Sequence, residues 1–300
     1  MDTAVIGKRS FGDILFTVCN YAFLGLFFLL CLYPFYYIFS YSLSDPKEAA
    51  LSLRVAFLPV KPTIQNYIDI FKISDIVHAT YISVLRTFIG TVITVVCCGF
   101  FAYLVTKPMY FRKFIYRMMI ITMYVGGGLI PWFTTMQMLG LYNNFLVYVL
   151  PGAISAMNVV LIKTFIEQLP ISLEESALIE GAGYLRIFIA IIIPLSTPIL
   201  ATVAVFSAVG QWSSWFDNYI LAPSENLRTL QLLLWEMIKR VNVNANEVNK
   251  AAMLAESDKV TTPMAVRMTI TMVVTLPIIF VYPFMQRYFM QGIMIGAIKG

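Results

Sequence analysis

Six continuously apolar stretches, roughly 14–40, 80–105, 114–138, 145–166, 187–216 and 264–288, are separated by polar segments along the chain. A helix crosses a hydrocarbon core of about 30 Å in about 20 residues, so each stretch is long enough to span. The runs do not alternate with a period of two, which predicts helices and not the strands of a barrel. The segment between the second and third stretches carries Lys107, Arg112, Lys113 and Arg117 and no acid. Basic residues in short loops are retained in the cytoplasm, so this segment is expected inside. With six crossings both termini fall on the same side, and Lys8, Arg9, Arg287 and Lys299 agree. The longer segments, about 41–79 and 217–263, mix both signs and are expected outside. The predicted fold is an all-α integral membrane protein of six transmembrane helices, a single transmembrane domain over 1–300 with both termini cytoplasmic.

Composition supports this reading. Apolar residues make up 59% and charged residues 12%, with a mean hydropathy of +0.79. A soluble domain has about 45–50% and about a quarter, so the excess needs lipid as its solvent. The net charge of +5 is modest, and the basic residues form no stripe with interleaved aromatics, which argues against a nucleic-acid partner. The first apolar run exceeds the roughly 7–15 residues of a signal sequence and lacks a small-residue cleavage site, so it is expected to be a retained helix. Cys19, Cys31, Cys97 and Cys98 lie in apolar runs without metal-ligand spacing and are expected to pack. His78 is the single histidine, which excludes a His-rich metal site; it is expected at an interface.

The spans contain no Asp or Glu. Arg86 and Arg267 lie near the outer ends of the second and sixth. Each can snorkel to the interface or serve a translocation path. Pro34, Pro131, Pro151, Pro194, Pro198 and Pro277, with the triplet Gly126, Gly127 and Gly128, interrupt the spans. Such breaks suit a bundle that lines a path, although membrane helices carry more Pro and Gly in general.

The segment from Pro170 to Gly183 carries the strongest signal. Pro170 ends the preceding span. Ser172 with Glu175 has the spacing of a capping box, and Glu174 and Glu175 in the first turn complement the helix dipole. Gly181 or Gly183 can end the helix in a left-handed cap. The expectation is a short cytoplasmic helix over about 171–183, with Leu173, Ala177 and Glu180 on one side and the small residues Ser176, Ala177 and Ala182 permitting close approach. These features alone describe any short capped connector.

The spacing adds more. Glu175-Ser176-Ala177, three residues, Gly181, nine residues, then Ile191-x-Ile193-Pro194 resembles the EAA signature, E-A-A-x3-G-x9-I-x-L-P, of permease subunits of ATP-binding-cassette (ABC) importers. Ser176 and Ile193 replace the alanine and leucine. Trp215-Phe216-Asp217-Asn218-Tyr219 followed by Arg228-Thr229-Leu230, and the ending Gly292 to Gly300, are similar to the maltose-type, carbohydrate branch of that family, and within it to subunits serving oligo- or polysaccharides. The resemblance implies a type I ABC importer permease fold. It also implies a second permease subunit, two cytosolic ATP-binding subunits and an extracytoplasmic solute-binding protein as partners. By the same resemblance, Ser172, Glu175, Ser176, Ala177, Gly181 and Ala182 form a coupling helix seated on the ATPase. Glu175 supplies the polar contact, Ala177 and Gly181 allow close seating, and Pro194 sets the angle of the following span. Gly296 and Lys299 in the tail would reach the same partner. The chain has no G-x4-G-K-[ST] phosphate loop, so ATP and magnesium are expected on the partner, with no cofactor and no catalytic or metal site in this chain.

Sugars are held by aromatic faces and hydrogen-bonding groups, which makes Tyr124, Trp132, Trp212, Trp215 and Asp217 candidates for the substrate path. Trp and Tyr also collect at membrane interfaces regardless of function. Leu230, Leu233, Leu234, Met237 and Val241 fall at helical spacing and predict an amphipathic outer helix that seats the solute-binding protein or packs on the bundle. Rival readings are an ion-coupled transporter, which the lack of membrane carboxylates disfavours, a membrane enzyme, and a permease of the same class for a non-sugar solute.

Overall fold

A computed structural model describes residues 11–52, 57–239 and 262–297, which are helical or irregular with no strand among them. The chain divides into two compact units, one from residues 1–70 and 250–272 and the other from 71–249 and 273–300. Three described helices are long and apolar enough to cross a membrane, and a bent pair makes a fourth if counted as one span.

In the first unit, α1 (Phe11–Ser42) is a 32-residue apolar helix with Pro34 inside it. None of its most apolar window is buried among the described residues, which suits a surface solvated by lipid or by another subunit. Its end turns polar: Ser44 Oγ donates to the Ser40 carbonyl at 2.7 Å, and Asn66 Nδ2 donates to the carbonyls of Ser42 and Ser44. Asp45 caps α2 (Pro46–Leu51) by accepting from the amides of Lys47 and Glu48, with Pro46 at the first helical position, where no amide is needed. A short α3 (Gln65–Phe71) follows. Tyr41, Ala49, Ala265 and Met268 form the buried core of this unit. Outside the spans, burial raises the Tyr67 phenol, opposed by its hydrogen bond to Ser42, and Glu48 raises the Lys61 ammonium.

The second unit is built on α4 (Ser74–Leu104), which is continuous over 31 residues. The third apolar stretch, expected as one helix, is two: α5 (Arg112–Tyr124) and α6 (Leu129–Met138). Gly128, at φ +81°, separates them in a conformation that a side chain would resist. The fourth stretch begins with a 3-10 turn at Phe145–Tyr148, capped by Asn144, and only Ala156–Ile166 (α7) is α-helical. After α8 (Ser172–Ile179) come α9 (Tyr184–Ile187), a π turn over Phe188–Ile192 and α10 (Ile193–Leu195). Pro194 has no amide to give the carbonyl four residues back, and the wider π turn lies just before it. The fifth stretch is therefore not one straight span. The segment Tyr184–Leu195 meets α11 (Thr197–Ser213) at 82°. Pro198 follows the break, where its missing amide is harmless, and Thr197 Oγ1 donates to the Pro194 carbonyl at 2.8 Å. Then come α12 (Phe216–Leu221), α13 (residues 230–239) and α14 (Pro263–Ala297), the last divided between the two units.

Within the second unit α4 packs against α11 and α7. One core joins Cys98, Ala102 and Tyr103 of α4 with Val159 and Ile162 of α7, Ile187, and Val203 of α11. A second gathers Ile82, Met136, Val147, Tyr148 and Leu221. Cys98 packs as expected, and its thiol also accepts from the Ser155 amide at 3.3 Å.

Candidate functional site

Helix α8 starts one residue earlier than the capping-box spacing predicts. Ile171 is its N-cap, with helical φ and ψ, and no side chain caps it. The carbonyl of Ile171 accepts from the amides of Glu174 and Glu175 at 3.0 and 3.1 Å. Ser172 is thus already a helical residue, and its hydroxyl cannot turn back to an amide at the third position. The other end follows expectation. Gly181 sits at φ +82°, its amide donates to the Leu178 carbonyl at 3.0 Å, and the Ala182 amide donates to the Ala177 carbonyl at 2.9 Å. This pair of bonds is a Schellman closure.

Two of the small residues of this segment face the bundle. Ala177 is 9% exposed and belongs to the core with Tyr103, Ile166 and Ile187, and Ala182 packs on the same cluster. The small side chain of Ala177 lets α8 seat on the bundle. Ser172, Glu175, Ser176, Gly181 and Pro194 are exposed. So is Ile179, at 88%, which the sequence reading passed over. Its place four residues after Glu175, on the same helix face, was the available signal. Glu174 turns the other way and pairs with Lys107, whose ammonium also lies 4.4 Å from the centre of the Tyr103 ring. The basic loop after α4 is thereby tied to α8.

Toward the far end of α4 lies a cavity of about 270 Å³, lined by Arg86, Thr94, Trp132, Asn158, Ser207 and Gln211 among others. Arg86 does not snorkel. Its side chain is 3% exposed and pairs with Asp217 through two N–H groups, one of them at 3.2 Å to Oδ1. Nε donates to Gln211 Oε1 at 3.0 Å, Nη1 also reaches the Ser214 carbonyl at 3.3 Å, and the guanidinium lies 4.4 Å from the Tyr148 ring centre. The Asp217 carboxylate, 131 residues away in sequence, makes this position tolerable inside an apolar helix. Asp217, expected on the substrate path, is therefore first the counter-ion of Arg86. It also accepts from Ser214 Oγ and the Asn218 amide, each at 2.9 Å.

The other candidates part company. Trp132 lines the cavity. Trp212 donates its indole N–H to the Val274 carbonyl at 2.8 Å. Trp215 stacks on Trp235 at 4.6 Å between ring centres, with Tyr219 against both. Tyr124, at the end of α5, is 83% exposed and outside the cavity. Gly296 lies in α14 near its end, and Lys299 is outside the described residues. The Trp-Asp-Asn and Arg-Thr-Leu motifs meet in one turn: Asn218 Oδ1 accepts from the amide and hydroxyl of Thr229, and the Leu230 amide donates to Ser83 Oγ on α4. Leu230, Leu232, Leu233 and Leu234 of α13 are buried. Val241 lies outside the described residues.

No protein-family model matches the chain. Over 287 residues, 95% of this chain and 99% of the relative, it is 30% identical to the polygalacturonan/rhamnogalacturonan transport system permease protein YtcP of Bacillus subtilis (strain 168). Protein LplC of the same organism is 32% identical over 95% of both chains. Among solved structures, a chain of a bacterial ABC transporter involved in the import of the acidic polysaccharide alginate superposes with a TM-score of 0.85 and 31% identity, over 94% of this chain and 99% of that one. With the signature spacing of α8, these whole-length similarities place the chain in the carbohydrate branch of ABC transporter permeases, the family to which it belongs.

Proposed function

We propose that this chain is one of two permease subunits of a bacterial ATP-driven importer, set in the cytoplasmic membrane with six spans and both termini inside, that moves a sugar oligomer delivered by an extracytoplasmic solute-binding protein. The observation that carries this reading is the full-length superposition on a polysaccharide importer at 31% identity. The YtcP similarity, to a transport system named for pectic polymers, favours an oligosaccharide over a monosaccharide. ATP is hydrolysed by two cytosolic partners. Glu175, Ser176 and Ile179 present the face that docks there, a small carboxylate-bearing ridge with one protruding apolar side chain. Gly181 closes that helix, and Ala177 and the Lys107–Glu174 pair hold it to the bundle. Trp132 and Asp217 border the substrate path.

The test is reconstitution with the second permease subunit, the ATPase and the solute-binding protein in proteoliposomes. Uptake of an oligogalacturonide should require internal ATP and survive an ionophore, and a photocrosslinker at Ile179 should capture the ATPase. Uptake that stops with the ionophore and ignores ATP, or crosslinks from Ile179 that capture no ATPase, would refute the reading.

A further inference from the structure

The groups around the membrane cavity differ in how much of their hydrogen-bonding capacity is already used. Arg86 spends its donors on Asp217, Gln211 and Ser214, and its face on Tyr148. Gln211 gives its oxygen to Arg86 and its amide nitrogen to the Tyr148 carbonyl at 3.0 Å. Thr94 donates to the Gly152 carbonyl at 3.1 Å. Two polar side chains in the same lining, Asn158 of α7 and Ser207 of α11, make no hydrogen bond to a described residue. Ser207 does not even bond the carbonyl one turn back, as Thr202 does to Pro198 at 3.0 Å. Both are half-buried, and their capacity is open to whatever occupies the cavity.

We propose that Asn158 and Ser207, with the indole of Trp132 as apolar wall, form a subsite that reads the hydroxyl edge of a sugar ring, and that Arg86 shapes this subsite without touching the sugar. The proposal rests on the sugar-importer reading and adds the chemistry of the site. An amide offers two donors and an acceptor, and a hydroxyl one donor and two lone pairs, which matches vicinal hydroxyls. Trp132 presents the kind of apolar face on which a ring's C–H groups pack. The volume, about 270 Å³, is many times the roughly 30 Å³ share of one water. A carboxylate has no place here: the cation of the cavity is neutralised by Asp217, whose side chain is 17% exposed and would repel an anion. If the cargo is a uronate oligomer, its carboxylates are bound elsewhere, and this subsite takes the hydroxyl side.

The experiment uses the complete transporter in proteoliposomes with two probes, a galacturonate trimer and its carboxyl-reduced galactose trimer, and measures sugar moved per ATP hydrolysed. Asn158→Leu combined with Ser207→Ala should lower that ratio about tenfold, by the same factor for both probes, in a complex that still purifies with all its subunits. Ser207→Thr, which keeps the hydroxyl, should stay within about twofold of the wild type. An unchanged ratio in the double variant overturns the subsite. So does loss of the second permease subunit from the purified complex, which would make these residues an interface. A loss confined to the galacturonate probe would overturn the assignment to hydroxyls. Failure of the wild-type transporter to move any sugar overturns both this proposal and the function above, whereas the other outcomes leave that function standing.

Discussion

Two ion pairs anchor α4, one from Arg86 within it and one from Lys107 just past its end, and they are built differently. Arg86 and Lys107 are 21 positions apart, about 30 Å along a helix, which is about the thickness of the hydrocarbon core. At one end, Arg86 and Asp217 are 3% and 17% exposed and sit in a closed web with Gln211, Ser214 and Tyr148. At the other, Lys107 and Glu174 are each 15% exposed, and the Lys107 ammonium also lies over the Tyr103 ring, with no wider web among the described residues. The first pair is a fixed joint: the planar fork of an arginine, satisfied on several sides, admits one arrangement. The second is a point charge on a flexible stem holding a short helix that also has its own core residue in Ala177. One region secures the bundle around the cavity; the other holds α8 to the bundle through one pair and one small core residue.

The contrast can be broken most forcefully at Arg86. Arg86→Ala leaves the mostly covered Asp217 carboxylate without its cation and should cost up to about 3–5 kcal/mol, read as a large fall in the thermal midpoint of the purified complex. A loss below about 1 kcal/mol would mean that the web is not closed. Gly90→Ala probes the same web indirectly. A methyl there would lie 2.7 Å from the Gln211 amide group, so Gln211 must move away from Arg86, at about 1–3 kcal/mol. Lys107→Met should be milder, about 1.5 kcal/mol for the loss of one charged hydrogen bond, yet should reduce sugar transport per ATP because α8 loses a tie to α4. Glu174→Gln should give the same phenotype, and the two together no more than either alone, since both delete one interaction. Ser172→Ala should change stability least, within about 0.5 kcal/mol, because its hydroxyl caps nothing. A cost near 1 kcal/mol, typical of a lost N-cap, would show that the capping box forms after all.

Apolar run length and the absence of alternation were enough to locate α1, α4 and the start of α14, because long membrane helices are governed by local composition. Breaks were harder to place. Proline marks a missing amide but not what the chain does about it: Pro34 and Pro277 lie inside continuous helices, while Pro194 and Pro198 flank a sharp bend. Gly181 was legible as the end of α8 because a left-handed residue is a local requirement. Its beginning was misread, since a one-residue shift moves Ser172 from cap to helix without changing the pattern. Arg86 and Asp217 were each noticed, but their pairing across 131 residues leaves no local trace. The same is true of Asn218, whose amide organises the turn that carries the Thr229 and Leu230 contacts. Asn158 and Ser207 drew no attention because polar residues inside apolar runs look incidental until their neighbours' bonds are counted.

If α8 is the docking helix proposed above, the 82° corner at Ser196 would work like a bell crank. Tyr184–Leu195 is an arm of about 18 Å at 1.5 Å per residue, and it meets α11 nearly at a right angle. A thrust delivered along the arm from α8 cannot slide α11 lengthwise; it reaches the foot of α11 broadside and tips it. Because Ser207 and Gln211 ride on α11 while Asn158 rides on α7, even a few degrees of tipping would change the gap between the two walls of the cavity.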